Sequence, residues 1–355
     1  MCAAPRKSFY RPKRNAITSI HPMPSVARTA GQFSANRKKV REMTGQSELD
    51  FGGRVAIVTG AGQGMGREHA IMLASRGARV VVNDIATTRA EETVAAIIAA
   101  GGTAVSDSHD IVAEAADLVR TAIETFGRLD IVVNNAGINA YGRFWEMDSD
   151  VWWRVFDTSF RGVVEVARHA MPHLIESGSG RLINISSNGL MGLPNDTSYG
   201  AAKAAIWGLG NSLVAEAREV GVQVTTLLPV AWTPMTEDAF ANSNAVVQEL
   251  MRGHFPAPAV AAFVTWLAHQ DTTVHGESFE VGGVGAARTV FTAMPRIKAA
   301  APTPEAWAGT ATNLMRDGDL TPLFNASESL RAQMVFLAPE MASEIPADAA
   351  DVSSN

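Results

Sequence analysis

The chain has 355 residues, 46% of them apolar and 19% charged, and a formal net charge of −6. That length buries one large core or two average ones. No apolar run approaches the ~18 residues that span a bilayer as a helix, and a single cysteine, Cys2, excludes an internal disulfide framework.

The charge is unevenly spread. Residues 1–50 carry ten Arg/Lys and three Asp/Glu, which leaves −13 on the other 305 residues. An acidic body argues against nucleic acid and against a membrane surface as the main partner. The basic head lacks amphipathic periodicity and reads as a disordered extension. Three readings of it stay open: an Arg-rich transit peptide, a basic anchoring tail, or a start assigned upstream of Met43.

From Phe51 the pattern becomes regular. "RVAIVTG" (54–60) and "RVVVND" (79–84) are short β-branched runs, separated by the helically spaced "QGMGREHAIMLASRGA". A second helical segment leads to "TAVSDSHD" (103–110), and a third to "LDIVVNNAG" (129–137). One long helix is expected over "SDVWWRVFDTSFRGVVEVARHAMPHLIES" before "GRLINISS" (180–187). A helix from about Tyr199 to Val220 precedes "VQVTTLLP" (222–229). The helical "PAVAAFVTWLAH" precedes the seventh run, "GESFEVGG" (276–283).

Unbroken Val/Ile/Leu strands alternating with helices imply parallel pairing with both sheet faces covered. The expectation is an α/β fold, a doubly wound parallel sheet of about seven strands, in one domain over residues 51–290. Residues 291–355 read as an extension with a disordered end.

Two stretches carry chemistry from their residues alone. "TGAGQGMG" (59–66) lies between a strand and the start of a helix, so its glycines admit a close ligand and the helix amides face it. A pyrophosphate suits that turn, with Gly60, Gln63, Gly64, Met65 and Gly66 as the candidate dinucleotide-binding positions. Asp84, at the end of the second strand, stands where a carboxylate accepts from a ribose 2′-hydroxyl and repels a 2′-phosphate. NAD is therefore expected over NADP, although Arg89 lies near. The other stretch is "YGAAK": Tyr199 and Lys203, one helical turn apart, share a face.

With "NNAG" (134–137) and "INISS" (183–187), these motifs together resemble the short-chain dehydrogenase/reductase family over about residues 51–290. "GRVAIVTGAGQGMGREHA", "SFRG" and "GESFEVGGVGAAR" are similar to one branch, the (3R)-hydroxyacyl-CoA dehydrogenase unit of peroxisomal multifunctional enzymes and its bacterial relatives. The resemblance implies that Tyr199 is the general acid/base. Lys203 holds the nicotinamide ribose and lowers the tyrosine's pKa, and a serine ending the fifth strand binds the substrate oxygen. It also implies cofactor contacts from Asn134, Ala136, Gly137, Asp110 and Thr233, and a homodimer or homotetramer. The strand read without gaps puts the serine role on Ser187, whereas the family's usual interval to the tyrosine picks Ser186. Adjacent strand residues face opposite ways, so one alone serves, and Ser187 is preferred.

Two positions depart from the family pattern. Ser159 stands where many members carry a relay asparagine, and Val230 stands where a glycine is commoner. They keep a second hypothesis open, a dinucleotide-binding protein without turnover. The leading expectation is a cytoplasmic NAD-dependent oxidoreductase for a secondary alcohol. Its apolar substrate is a 3-hydroxyacyl thioester, a steroid or a terpenoid, closed over by residues 233–258. His169 and His173 lack a third ligand, so no metal is expected.

Overall fold

The β-branched runs become strands whose residues are shielded on both sides. The computed structural model describes residues 48–241, 243–323 and 326–343. The basic head up to residue 47 and the last residues, 344–355, lie outside it. Seven strands run parallel: β1 Val55–Thr59, β2 Arg79–Asn83, β3 Thr103–Asp107, β4 Ile131–Asn134, β5 Arg181–Ile185, β6 Gln223–Val230 and β7 Ser278–Gly282. Their order is β3-β2-β1-β4-β5-β6-β7. Every residue of β1, β4 and β5 is buried, as a sheet covered on both faces requires.

The two-residue period of a strand divides the core in two. Ala56 and Val58 of β1 enter one apolar cluster with Leu73 of α1 (Gly64–Ser75) and Ile97 of α2 (Thr87–Ala99). Val55 and Ile57 enter the other, with Leu118 of α3 (Ala115–Phe126). Each such fully buried Leu or Ile contributes about 1.5–3 kcal/mol through removal from water.

The expected long helix is divided. α4 (Ser149–Phe156) leads into one π-helical turn, Asp157–Arg161, and then α5 (Gly162–Glu176). The wide turn carries Ser159 fully inward. α6 (Thr197–Glu219) precedes β6, and α7 (Pro234–Phe240), α8 (Ala245–His254) and α9 (Ala257–Ala268) fill the connection to β7. Val260, Val264 and Leu267 of α9 complete the first cluster.

The sheet also has an eighth strand, β8 (Gly285–Thr289), antiparallel to β7. Gly282 pairs with Gly285, which leaves the two-residue turn Gly283–Val284 with Gly283 at φ +56°. Such a turn calls for a positive φ, which glycine adopts without strain. β8 is almost entirely exposed and has no apolar alternation to announce it. Beyond it come β9 (Phe291–Ala293), α10 (Pro304–Leu314), β10 (Thr321–Leu323) and α11 (Ala326–Leu337), with β9 and β10 paired antiparallel. Phe291 packs on Trp207 of α6 at 4.0 Å between ring centroids.

Sheet order reverses at β1, whose neighbours are β2 and β4. In a doubly wound sheet the crevice opens at the carboxyl ends of the strands beside such a reversal. A cleft of about 790 Å³ lies there, lined by residues that end β1, β2, β4, β5 and β6.

Candidate active site

At one end of the cleft the glycine turn is fitted against the end of β4. Gly60 has φ +60°, and a Cβ there would come within 2.8 Å of the Ala136 backbone. A Cβ on Gly66 would collide with the Gly60 carbonyl. Neither position accepts a larger residue without moving backbone. Thr59 Oγ1 accepts from the amides of Asn135 and Ala136, both at 3.0 Å, and Asn135 Nδ2 donates back to the Thr59 carbonyl at 3.0 Å.

Asp84 is 7% exposed. One carboxylate oxygen accepts from the Gly62 amide and the other from the Ala86 amide, each at 3.0 Å. The carboxylate is thereby held beside the turn, on the cleft wall with Gly60, Gln63, Gly64 and Met65. Farther along, Asp110 and His109 line the same end. Burial opposes ionisation of Asp107, yet hydrogen bonds from His109, Asn83 and Thr121 hold its carboxyl below the usual range. The bond to Asp107 in turn raises the His109 pKa.

Asn134 is a correction. It was expected to meet the cofactor, but it is 1% exposed and lies outside the cleft lining, donating to Asn184 Oδ1 at 3.0 Å across β4 and β5. Strand alternation places Asn135 on the cleft instead. Ala136 and Gly137 line the cleft as expected. Thr233 does too, and its hydroxyl caps α7 by accepting from the Thr236 amide at 3.4 Å.

The end of β5 and the first turn of α6 bring three side chains together. Ser187 Oγ accepts from the Gly189 amide at 3.1 Å, and its side chain neighbours the Tyr199 phenol closely enough to oppose the effect of burial on it. Ser186 faces the other way and is buried, its hydroxyl donating to the Lys203 carbonyl at 2.7 Å. Lys203 Nζ donates to the Ile185 carbonyl at 2.8 Å and lies 5.3 Å from the Tyr199 ring centroid.

Burial sets the protonation of this pair. It pushes the Tyr199 phenol up to about 12, against the opposing effect of Ser187. It pushes the Lys203 ammonium down to about 8. The expected lowering by Lys203 assumes a cationic nicotinamide bound beside the phenol; in the protein alone, desolvation outweighs any help from the ammonium. Tyr199 is a neutral proton donor at neutral pH.

Ser159, in the relay position, has spent its hydroxyl. It donates to the Ile138 carbonyl at 3.1 Å and accepts from the Ile138 amide at 3.2 Å. It pins the start of the loop that walls the substrate end.

That end was only partly legible beforehand. Met235 and Phe240 of the expected covering segment line it, and so do Asn139, Tyr141, Leu193 and Asp196, which sequence reasoning missed. Asp196 could have been found from its place three residues before Tyr199, on the same helical face.

The cleft fits a nicotinamide dinucleotide on three observations. The glycine turn leaves a backbone cradle that a Cβ would fill, Asp84 offers a fixed carboxylate, and Lys203 is a fully enclosed ammonium beside a phenol.

Comparison with known proteins places this geometry in a class. Residues 54–244 match the family model described as short chain dehydrogenase. The chain is 37% identical over 246 residues to the peroxisomal multifunctional enzyme type 2 of Mus musculus, which covers 66% of this chain and 32% of that protein. A solved short chain dehydrogenase from Mycobacterium avium superposes with a TM-score of 0.67 at 34% identity, covering 78% of this chain and 99% of its own. A solved 7α-hydroxysteroid dehydrogenase in complex with NADH and 7-oxo glycochenodeoxycholic acid gives 0.61 at 28% identity, covering 67% and 96%.

The chain belongs to the short chain dehydrogenase family, whose members bind a nicotinamide dinucleotide. It spans 32% and 54% of the length of two multifunctional relatives that it matches. No helix among the described residues is long and apolar enough to cross a membrane.

Proposed function

We propose that the chain is an NAD-dependent dehydrogenase interconverting a secondary alcohol and a ketone on an apolar substrate, with Ser187, Tyr199 and Lys203 as its catalytic residues. The observation that carries this is the gathering of Ser187, Tyr199 and Lys203 on one cleft wall at the mouth of β5, with the enclosed Lys203 ammonium 5.3 Å from the Tyr199 ring centroid.

A bound nicotinamide would supply or take the hydride. The chain's own residues do the rest. Ser187 donates a hydrogen bond to the substrate oxygen, and Tyr199 gives that oxygen its proton in reduction and removes it in oxidation. Lys203 holds a ribose hydroxyl and keeps a positive charge near the phenolate.

Asp84 supports NAD over NADP, because a 2′-phosphate would meet a fixed carboxylate. Gly60, Gln63, Gly64, Met65, Asp110, Ala136, Gly137 and Thr233 complete the proposed cofactor contacts, while Gly66, off the cleft lining, lets the turn close on the Gly60 carbonyl. Met235, Phe240 and Met251 on the cleft wall support an apolar substrate, an acyl thioester or a steroid-like ring system. A cytoplasmic homodimer or homotetramer accords with this reading.

An NADH-linked absorbance assay across 3-oxoacyl-CoA, oxosteroid and terpenoid ketones tests it. Oxidation of NADH with at least one class, lost in Tyr199→Phe, is the expected result. NADH binding without turnover of any class would favour a non-catalytic dinucleotide protein.

A further inference from the structure

An aspartate at the first position of a helix ordinarily turns its carboxylate onto the helix amides and stabilises them by about 1 kcal/mol. Asp196 holds that position at the start of α6, yet its side chain makes no bond to the helix amides. It is 2% exposed and lines the substrate end of the cleft. Among the described residues, its Oδ1 has no hydrogen-bond partner.

Asn139, on the facing loop, repeats the pattern. Its side chain lies beside Asp196 and Tyr141, where it opposes the upward push of burial on both acids. Its own Oδ1 is buried without a partner. The facing segments are clasped by the Gly142 amide donating to the Asn195 carbonyl at 2.9 Å. Two residues that line the substrate end thus each keep a buried side-chain oxygen without a protein partner. An unmet buried acceptor destabilises the protein, and a donor entering beside it would offset that.

We infer that Asp196 and Asn139 form a subsite for a second hydrogen-bond-donating group on the substrate, a hydroxyl or an ammonium, distinct from the CH–OH that reacts. The inference rests on the dehydrogenase reading above and narrows its substrate class: a difunctional alcohol rather than a plain hydrocarbon one. The carboxyl of Asp196 accords with it. Burial pushes its pKa up to about 6, so it is largely ionised at neutral pH with no basic side chain bonded to it. The titratable groups that feel it are Tyr199 on its own helix and Tyr141 on the facing loop; Lys203 and Arg154 line the same cleft, and Asp238 of α7 acts on Tyr141.

The test compares cyclohexanol with the 1,2-, 1,3- and 1,4-cyclohexanediols and 2-aminocyclohexanol. Turnover is followed with NAD, and binding by calorimetry on the NADH complex. In the wild type at least one difunctional probe should exceed cyclohexanol by about tenfold or more in kcat/KM, the factor equivalent to one such bond. That ratio should fall to near unity in Asp196→Ala. Asp196→Asn separates the sources: it keeps an acceptor, so a diol preference survives in part, whereas an amino-alcohol preference disappears.

Thermal unfolding guards against a merely structural role. A carboxyl raised to about 6 destabilises the fold as it ionises, so Asp196→Asn should raise the melting temperature at pH 8 and give no gain at pH 4. Equal kcat/KM for cyclohexanol and every difunctional probe would overturn the inference and leave the dehydrogenase reading standing. So would a preference that Asp196→Ala and Asn139→Ala both leave intact. Asp196-dependent binding without turnover would support the subsite and overturn the dehydrogenase reading. Neither turnover nor binding of any probe would overturn both.

Discussion

The two ends of the cleft are finished to different degrees. At the nucleotide end, Asp84 is held by two amides, Thr59 and Asn135 tie the glycine turn to β4, and Asp107 is bonded by three side chains. At the substrate end, Asp196 and Asn139 each keep an oxygen without a partner, and Met191 and Leu193 of the adjoining loop are exposed by 68% and 54%. The contrast teaches where geometry is set in advance. A rigid strand-end cradle suits one unchanging cofactor, while unspent polar groups and exposed apolar ones on loops wait for the molecule that completes them. Between the two ends, the Ser187–Tyr199–Lys203 group belongs to the rigid half by its backbone and to the substrate half by its reach.

The strongest way to break this comparison is Tyr199→Phe. It should lower kcat by about 10²–10⁴-fold, the range for removing a general acid, while the NADH dissociation constant stays within about threefold. Equal loss of both would mean that the two ends cannot be separated. Gly66→Ala tests the rigid end alone. Its methyl would collide with the Gly60 carbonyl, and overpacking of that kind costs about 1–3 kcal/mol. A melting temperature lower by several degrees and weakened NADH binding are expected.

Asp84→Ala is milder. Removing the acceptor should weaken NADH about tenfold, in line with a bond to a charged group, and should narrow the preference over NADPH. Competitive titration with both nucleotides measures it. The smallest effect is expected from Lys203→Met on stability. The folded-state pKa of about 8 lies below the ordinary lysine value of 10.5, so the folded protein holds that proton less tightly than the unfolded chain. The cost is full below pH 8 and fades as pH rises towards 10.5. After loss of the bond to Ile185, a net gain of about 1–2 kcal/mol remains at pH 7, read as a higher melting temperature that converges on the wild type near pH 10. Turnover should be lost at both pH values.

How much of this was legible beforehand follows from the range of the forces involved. The glycine turn, Asp84 and the Tyr199–Lys203 spacing are local patterns, and local backbone geometry carries them into place. Ser187 was reachable through strand alternation, and the same rule applied at the end of β4 would have chosen Asn135 over Asn134. β8 was not legible, because a solvated strand paired by a two-residue turn needs no apolar alternation. The direction of the Tyr199 shift was not legible either: spacing shows that an ammonium is near, but only the packed structure shows how little water surrounds the phenol. Asp196 reads as an ordinary helix cap until tertiary structure turns its side chain into the cleft. The long helix hid its π turn because Asp157–Arg161 contains no Gly or Pro to mark a break.

The account's central claim is that this cleft moves a hydride between nicotinamide and a carbinol carbon, with Tyr199 moving the proton. Single-turnover reduction of a probe ketone with NADH deuterated at one face of C4, analysed by mass spectrometry of the alcohol, tests it most directly. The account predicts one deuterium on the carbinol carbon from one face only, and none on the same time scale with Tyr199→Phe. Alcohol formed without the label from either face, or labelled equally fast without the phenol, would contradict it.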